Sequence, residues 1–208
     1  MTVIGKRVSR LPKNIWLLFL AQPLVGCAAP LVIFAGGILG ARIAPSPDLA
    51  TLPLTMMILG TAFGVIPASM LMNKVGRKRG TMIGFTIAIA GTLLATHAAM
   101  QSDFLLLVAG TLSIGFSLAF VAQLRFAALE SLDDPILNPK AISLLMTSGL
   151  FAAILGPEVA VVASQWIDSP HGFAGSFLSL AVLFSIAILI ISRLDSMAPA
   201  VHESHENA

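Results

Sequence analysis

Four amide or charged side chains lie deep inside long apolar runs of this sequence: Gln22, Gln123, Arg125 and Glu158. Placing a charged group at depth in a bilayer costs about 2.5–3.5 kcal/mol even on a lenient insertion scale. Each of the four is therefore a candidate for contact with a solute or a coupling ion. Glu158 is the sharpest case. It follows Gly156 and Pro157 in the apolar context "GLFAAILGPEVAVVA", about 18 residues beyond Lys140 and so about 27 Å along a helix. A carboxyl group there serves proton coupling or cation contact, or else a gate hydrogen bond or an interface-reaching side chain. Arg125 stands about 33 Å along the fourth apolar run from Asp103. At that depth it either snorkels to the membrane surface or contacts an anion or substrate.

A second group of residues is the stretch "MLMNKVGRKRG", which sets Lys74, Arg77, Lys78 and Arg79 between two apolar runs. Gly76 permits a tight turn, and the cations can meet carboxylates or the carbonyls of helix C-termini. The positive-inside tendency of short loops also accounts for these cations without any further role. Nucleic-acid binding is not expected, because the cations are spread over short segments. Cys27 is the single cysteine and reads as a small packing residue. His202, Glu203 and His205 have a helical metal-ligand spacing in a tail that nothing predicts to be helical. No metal site and no cofactor is expected. No H-E-x-x-H or G-x-S-x-G motif and no acidic pair inside the apolar runs supports an enzyme.

The elements that must position these residues follow from composition. The chain has 208 residues, 57% hydrophobic and 11% charged, with a mean hydropathy of +0.93. That is more apolar surface than a water-soluble globule of this length hides. An all-α polytopic membrane protein is expected. Six runs of about 20 apolar residues fit at roughly 15–38, 50–72, 80–100, 104–128, 140–164 and 172–192. Runs such as "FLSLAVLFSIAILIIS" lack the alternation of barrel strands. The expected organisation is a cytoplasmic segment over 1–14, a transmembrane domain over 15–192 and a polar cytoplasmic tail over 193–208. With both termini inside, Lys6, Arg7, Arg10, Lys13, Lys74, Arg77, Lys78, Arg79, Lys140 and Arg193 are all cytoplasmic and Arg42 is outside. Pro23 and Pro30 in the first run, Pro67 in the second, and Gly156 with Pro157 in the fifth mark helices able to bend.

Six spans in this orientation with a basic connection between the second and third resemble the N-terminal half of a major facilitator superfamily transporter. The family pattern there is G-x-x-x-D-(R/K)-x-G-x-(R/K)-(R/K). This chain matches it at Lys74, Gly76 and the cations Arg77, Lys78 and Arg79, and departs from it with Ser69 for the first Gly and Asn73 for the Asp. The resemblance implies a gating latch at the cytoplasmic side, in which the 73–79 stretch meets the acidic Glu130 at the inner end of the fourth span. Asn73 hydrogen-bonds but carries no charge, which weakens that latch. Gly149 and Gly156-Pro157 are similar to the family's Gly-Pro element in the fifth span; the arginine often found early in the fourth span is absent. "RFAALE", "AISLLM" and "LGPE" together resemble a bacterial branch that includes importers of copper and of riboflavin.

The resemblance implies half of a fold built from 3+3 inverted repeats, in a bacterial inner membrane, transporting a small molecule by alternating access. A homodimer or a second transporter half is then the expected partner. The alternative is a non-transporting scaffold or a truncated remnant.

Overall fold

In a bilayer every backbone polar group must be satisfied within the chain, which leaves helices or a closed barrel. The computed structural model describes residues 13–130 and 138–193, with side chains described over 13–123, at Pro139 and over 143–193. The cations Lys6, Arg7 and Arg10, the 131–137 segment and the tail with His202 and His205 lie outside these residues, as do the side chains of Arg125, Glu130 and Lys140. The described residues contain helices and no strand. Six helices are long and apolar enough to cross a membrane. They are α1 (Lys13–Ile43), α2 (Leu52–Val75), α3 (Arg77–Gln101), α4 (Phe104–Glu130), α5 (Asn138–Ala163) and α6 (Ala174–Ser192). The protein is an integral membrane protein.

The helix ends refine the sequence expectation. α1 continues to Ile43 instead of ending near 38, and a short 3-10 turn over Pro47–Leu49 leads into α2. α1 is also the one irregular span. It runs as Lys13–Gly26, breaks at Cys27, resumes over Ala28–Leu31, widens into a π turn over Val32–Gly36 and closes as Gly37–Ile43. Pro30 has no N–H, and its ring crowds the carbonyl four residues earlier, which accounts for a break near Cys27. By contrast Pro67 and Pro157 sit within unbroken helices.

The packing repeats itself. α4 packs most extensively against α2 and α3, α1 packs against α5 and α6, and α3 lies along α6. Exchanging α1 with α4, α2 with α5 and α3 with α6 maps this pattern onto itself. Three crossings per unit place the second unit in the membrane upside down relative to the first, the 3+3 inverted repeat that the resemblance implies. α2 and α5 are the least buried of the six. The core between the units holds Phe85 of α3 against Phe184 of α6, with ring centroids 5.6 Å apart.

Close approach of backbones holds α4 in place. A methyl group on Gly115 would overlap the Met57 carbonyl, and one on Gly64 would stand 2.8 Å from the Phe116 carbonyl. Thr61 Oγ1 lies 2.9 Å from the Gly115 carbonyl and 3.0 Å from the carbonyl of Met57 in its own helix, so its proton is shared across this crossing. Gly149, in α5, has no neighbour within 4 Å of a Cβ position. The same substitution therefore has opposite consequences at two helical glycines. Gly115→Ala forces α2 and α4 apart at a cost of about 1–3 kcal/mol and lowers the thermal midpoint in detergent, whereas Gly149→Ala leaves it unchanged or higher. Equal midpoints for the two variants would refute the close crossing.

Candidate functional site

α1, α4 and α5 line a half-open cavity of about 500 Å³ formed by Gln22, Gly26, Ala29, Leu118, Val121, Ala122, Gly149 and Ala152. Its volume is in the range of small-molecule sites. The helices that form it meet closely beside it. A Cβ on Gly26 would lie 2.9 Å from the Ala152 Cβ, and one on Gly156 would lie 2.6 Å from Pro30 Cγ and 3.0 Å from the Cys27 carbonyl. The positions singled out for flexing in two different spans, Pro30 and Gly156, thus face each other across the α1–α5 crossing. Pro23 lies one residue from Gln22 on the same helix.

Gln22 is the single polar side chain among the lining residues, and it is only 4% exposed. Its Oε1 is buried without a hydrogen-bond partner. The buried hydroxyls next in sequence to the lining residues Leu118 and Gly149 are already engaged: Ser117 Oγ donates to the Ile114 carbonyl at 2.6 Å and Ser148 Oγ to the Leu145 carbonyl at 2.6 Å. Gln123 is half-buried one residue beyond the lining position Ala122, and Arg125 falls on the following turn of α4. Glu158 does not join this cavity. It is exposed on α5 and lines a separate apolar groove of about 270 Å³ with Trp166 and residues of α6 such as Val182 and Leu183. The structure therefore separates Glu158 from Gln22, two of the candidates for contact with a solute or a coupling ion.

The basic stretch is a helix junction more than a loop. Asn73 and Lys74 close α2, Arg77, Lys78 and Arg79 open α3, and Gly76 alone connects them. Gly76 has φ +86° and ψ 155°, a region essentially reserved for glycine. Its N–H donates to the Met72 carbonyl at 2.9 Å, and its carbonyl accepts from the Gly80 N–H at 3.0 Å. Lys78 Nζ donates to the carbonyl of Ser192, the last residue of α6, at 2.7 Å. A cation on the negative end of a helix dipole is favourable there. Asn73, Lys74 and Arg79 are exposed. Glu130 ends α4 at the same end of the bundle.

At the opposite end sequence reasoning missed a clasp centred on His171. Arg42 Nη1 donates to the His171 carbonyl at 2.7 Å, and His171 Nδ1 lies 2.8 Å from Ser102 Oγ. The Arg42 guanidinium also sits 5.7 Å from the centroid of the Phe173 ring, which meets Phe34 edge-on at 6.2 Å. The end of α1, the α3–α4 turn and the α5–α6 connection are joined in this way. The signal in the sequence was the Pro170-His171-Gly172 turn facing the lone cation Arg42.

A sequence profile of the Major Facilitator Superfamily matches residues 4–207. The chain is 36% identical over 191 residues to the riboflavin transporter RfnT of Brucella anthropi, covering 92% of this chain and 47% of that protein. It is 24% identical to two uncharacterised transporters of Bacillus subtilis, YddS over 86% of this chain and 41% of the relative, and YdeG over 89% and 44%. The chain thus spans somewhat less than half the length of the relatives it matches. No solved structure matches it.

The single-residue junction gives a direct test. A Cβ on Gly76 meets nothing within 4 Å, so the cost of Gly76→Ala, about 1–3 kcal/mol, is backbone strain alone. A lower thermal midpoint for Gly76→Ala is expected, with Asn73→Ala, on an exposed residue, unchanged. An unaltered midpoint for both would show that the junction relaxes without penalty.

Proposed function

Because the chain belongs to the major facilitator superfamily, we propose that it forms one six-helix half of a secondary transporter that moves a small solute by alternating access, completed by a second six-helix unit. The observation that carries this reading is the Gln22 cavity between α1, α4 and α5. α1 and α4 are equivalent helices of the two repeats, and solute sites in such folds lie where the repeats meet. Identity of 36% to the riboflavin transporter of Brucella anthropi supports riboflavin as the solute. A partner unit would cover the outer faces of α2 and α5, where Phe63 and Ile66 are each 70% exposed and Leu150 and Ile154 each 67% exposed.

In this reading the end bearing Lys13, Lys74, Arg77, Lys78, Arg79 and Arg193 faces the cytoplasm of a bacterium, with both termini there, and Arg42 and His171 face outward. The 73–79 junction acts as the cytoplasmic latch with Glu130 as an acidic partner, while Lys78 ties the junction to the end of α6. Its uncharged Asn73 makes the latch weaker than one with a carboxylate at that position. Glu158, away from the solute cavity, serves as the proton-coupling carboxylate.

Transport is tested by expressing the chain, alone and with the remaining half of the Brucella anthropi transporter, in bacteria that depend on external riboflavin. Riboflavin-dependent growth and uptake are expected in at least one arm, with a native gel showing a species larger than one chain. Glu158→Gln is expected to remove the dependence of uptake on a proton gradient. Uptake in neither arm from a strictly monomeric chain favours the scaffold reading, and gradient dependence that survives Glu158→Gln removes Glu158 from coupling.

A further inference from the structure

We infer that Gln22 recognises an amide-like edge of a neutral heterocycle, a hydrogen-bond donor flanked by an acceptor, and that this contact selects the solute. The inference rests on the transport reading above and assigns the chemistry of its cavity. A buried polar atom without a partner costs about 1–3 kcal/mol, and nearly all buried polar atoms in folded proteins are paired. Gln22 Oε1 is an exception, and Gln22 is the one polar residue lining a cavity otherwise formed by apolar side chains and glycines.

The surroundings limit what can complete it. Ser117 and Ser148 already bond within their own helices, and among the described residues no charged side chain lines the cavity. A primary amide offers one acceptor oxygen and a two-hydrogen donor side by side. Its complement is an N–H next to a carbonyl, as in a lactam or imide. Exchanging the amide oxygen and nitrogen, which a side-chain flip permits, leaves that complement the same. The apolar walls, Leu118, Val121, Ala122 and Ala152, suit the faces of a planar ring. Gly149 leaves room beside it, with open space where a side chain would stand. A site built around a hydrogen bond rejects an analogue lacking that group far more strongly than an apolar pocket rejects a size change.

The test pairs a change in the protein with a change in the ligand. Lumiflavin carries an imide N–H between two carbonyls, and 3-methyllumiflavin has that N–H capped. Binding of each to the full purified chain in lipid nanodiscs is followed by quenching of flavin fluorescence. Wild type is expected to bind lumiflavin about ten-fold or more tightly than the methylated ring, the factor that one to two buried hydrogen bonds supply. Gln22→Met, close in shape, and Gln22→Leu are expected to bring lumiflavin down to the affinity of the methylated ring without weakening the latter. Equal weakening of both rings in both variants would assign Gln22 to packing and overturn the inference. So would a wild type that binds neither ring or does not distinguish them. Failure of the transport reading looks different: discrimination at Gln22 persists while no riboflavin enters cells.

Discussion

Lipid removes the usual reason for helices to associate, since apolar surface gains little by exchanging hydrocarbon for another helix. Association then depends on backbones approaching closely enough for dispersion and short polar contacts. This constraint falls most heavily on α4. It lies against α2 through Gly60, Gly64 and Gly115, and against α3 through Gly91 and Gly110, where added methyl groups would meet backbone atoms of the opposite helix. The Thr61 hydroxyl, within reach of a carbonyl on each side, works at the same crossing. α1 meets α5 by a similar device, Gly26 against Ala152 and Gly156 against Pro30. The remaining architecture, including the symmetric pairing of the two repeats, rests on these crossings.

Where tight packing stops, the cavity begins. Gly149 lies two turns before Gly156 on α5, yet it faces open space while Gly156 is pressed against α1. The same helix therefore seals one level of the bundle and leaves another open. α1 contributes the complementary irregularity. Its break at Cys27 falls five residues after Gln22 and its π turn ends four residues before Gly40, which itself abuts the Ala50 carbonyl. A helix that changes its pitch between a polar contact and a closed end places those two points on faces that a regular helix could not combine.

Much of this was legible in the sequence because hydropathy and charge act locally. Six apolar runs, the all-helical class and the basic stretch between α2 and α3 all follow from residues counted along the chain. Gln22 was legible as a polar residue at depth, and the structure adds that it lines a cavity. What was not legible depends on which way a helix faces. Glu158 has the same apolar context as a buried residue, yet it projects from the exposed side of α5. Rotation about the helix axis is set by the Gly156–Pro30 contact, whose two members are 126 positions apart in sequence. The bond from Arg42 to the His171 carbonyl likewise joins positions that no local pattern relates. The basic residues between two apolar runs read as a loop with a turn at Gly76, and the turn is that single residue. The compression to one residue reflects helices that continue through Asn73 and Lys74 on one side and start at Arg77 on the other.

Lys78 on the end of α6 and His171 between α1 and the α3–α4 turn are cross-ties at opposite ends of the bundle, and each joins one repeat to the other. A frame pinned at both ends resists internal shear. Tilting it as a whole requires none of these bonds to break, whereas sliding one repeat past the other requires several to break together. The six helices are therefore suited to transmit a displacement from one membrane face to the other as a stiff lever, with the compliance located outside the frame, along the little-buried flanks of α2 and α5.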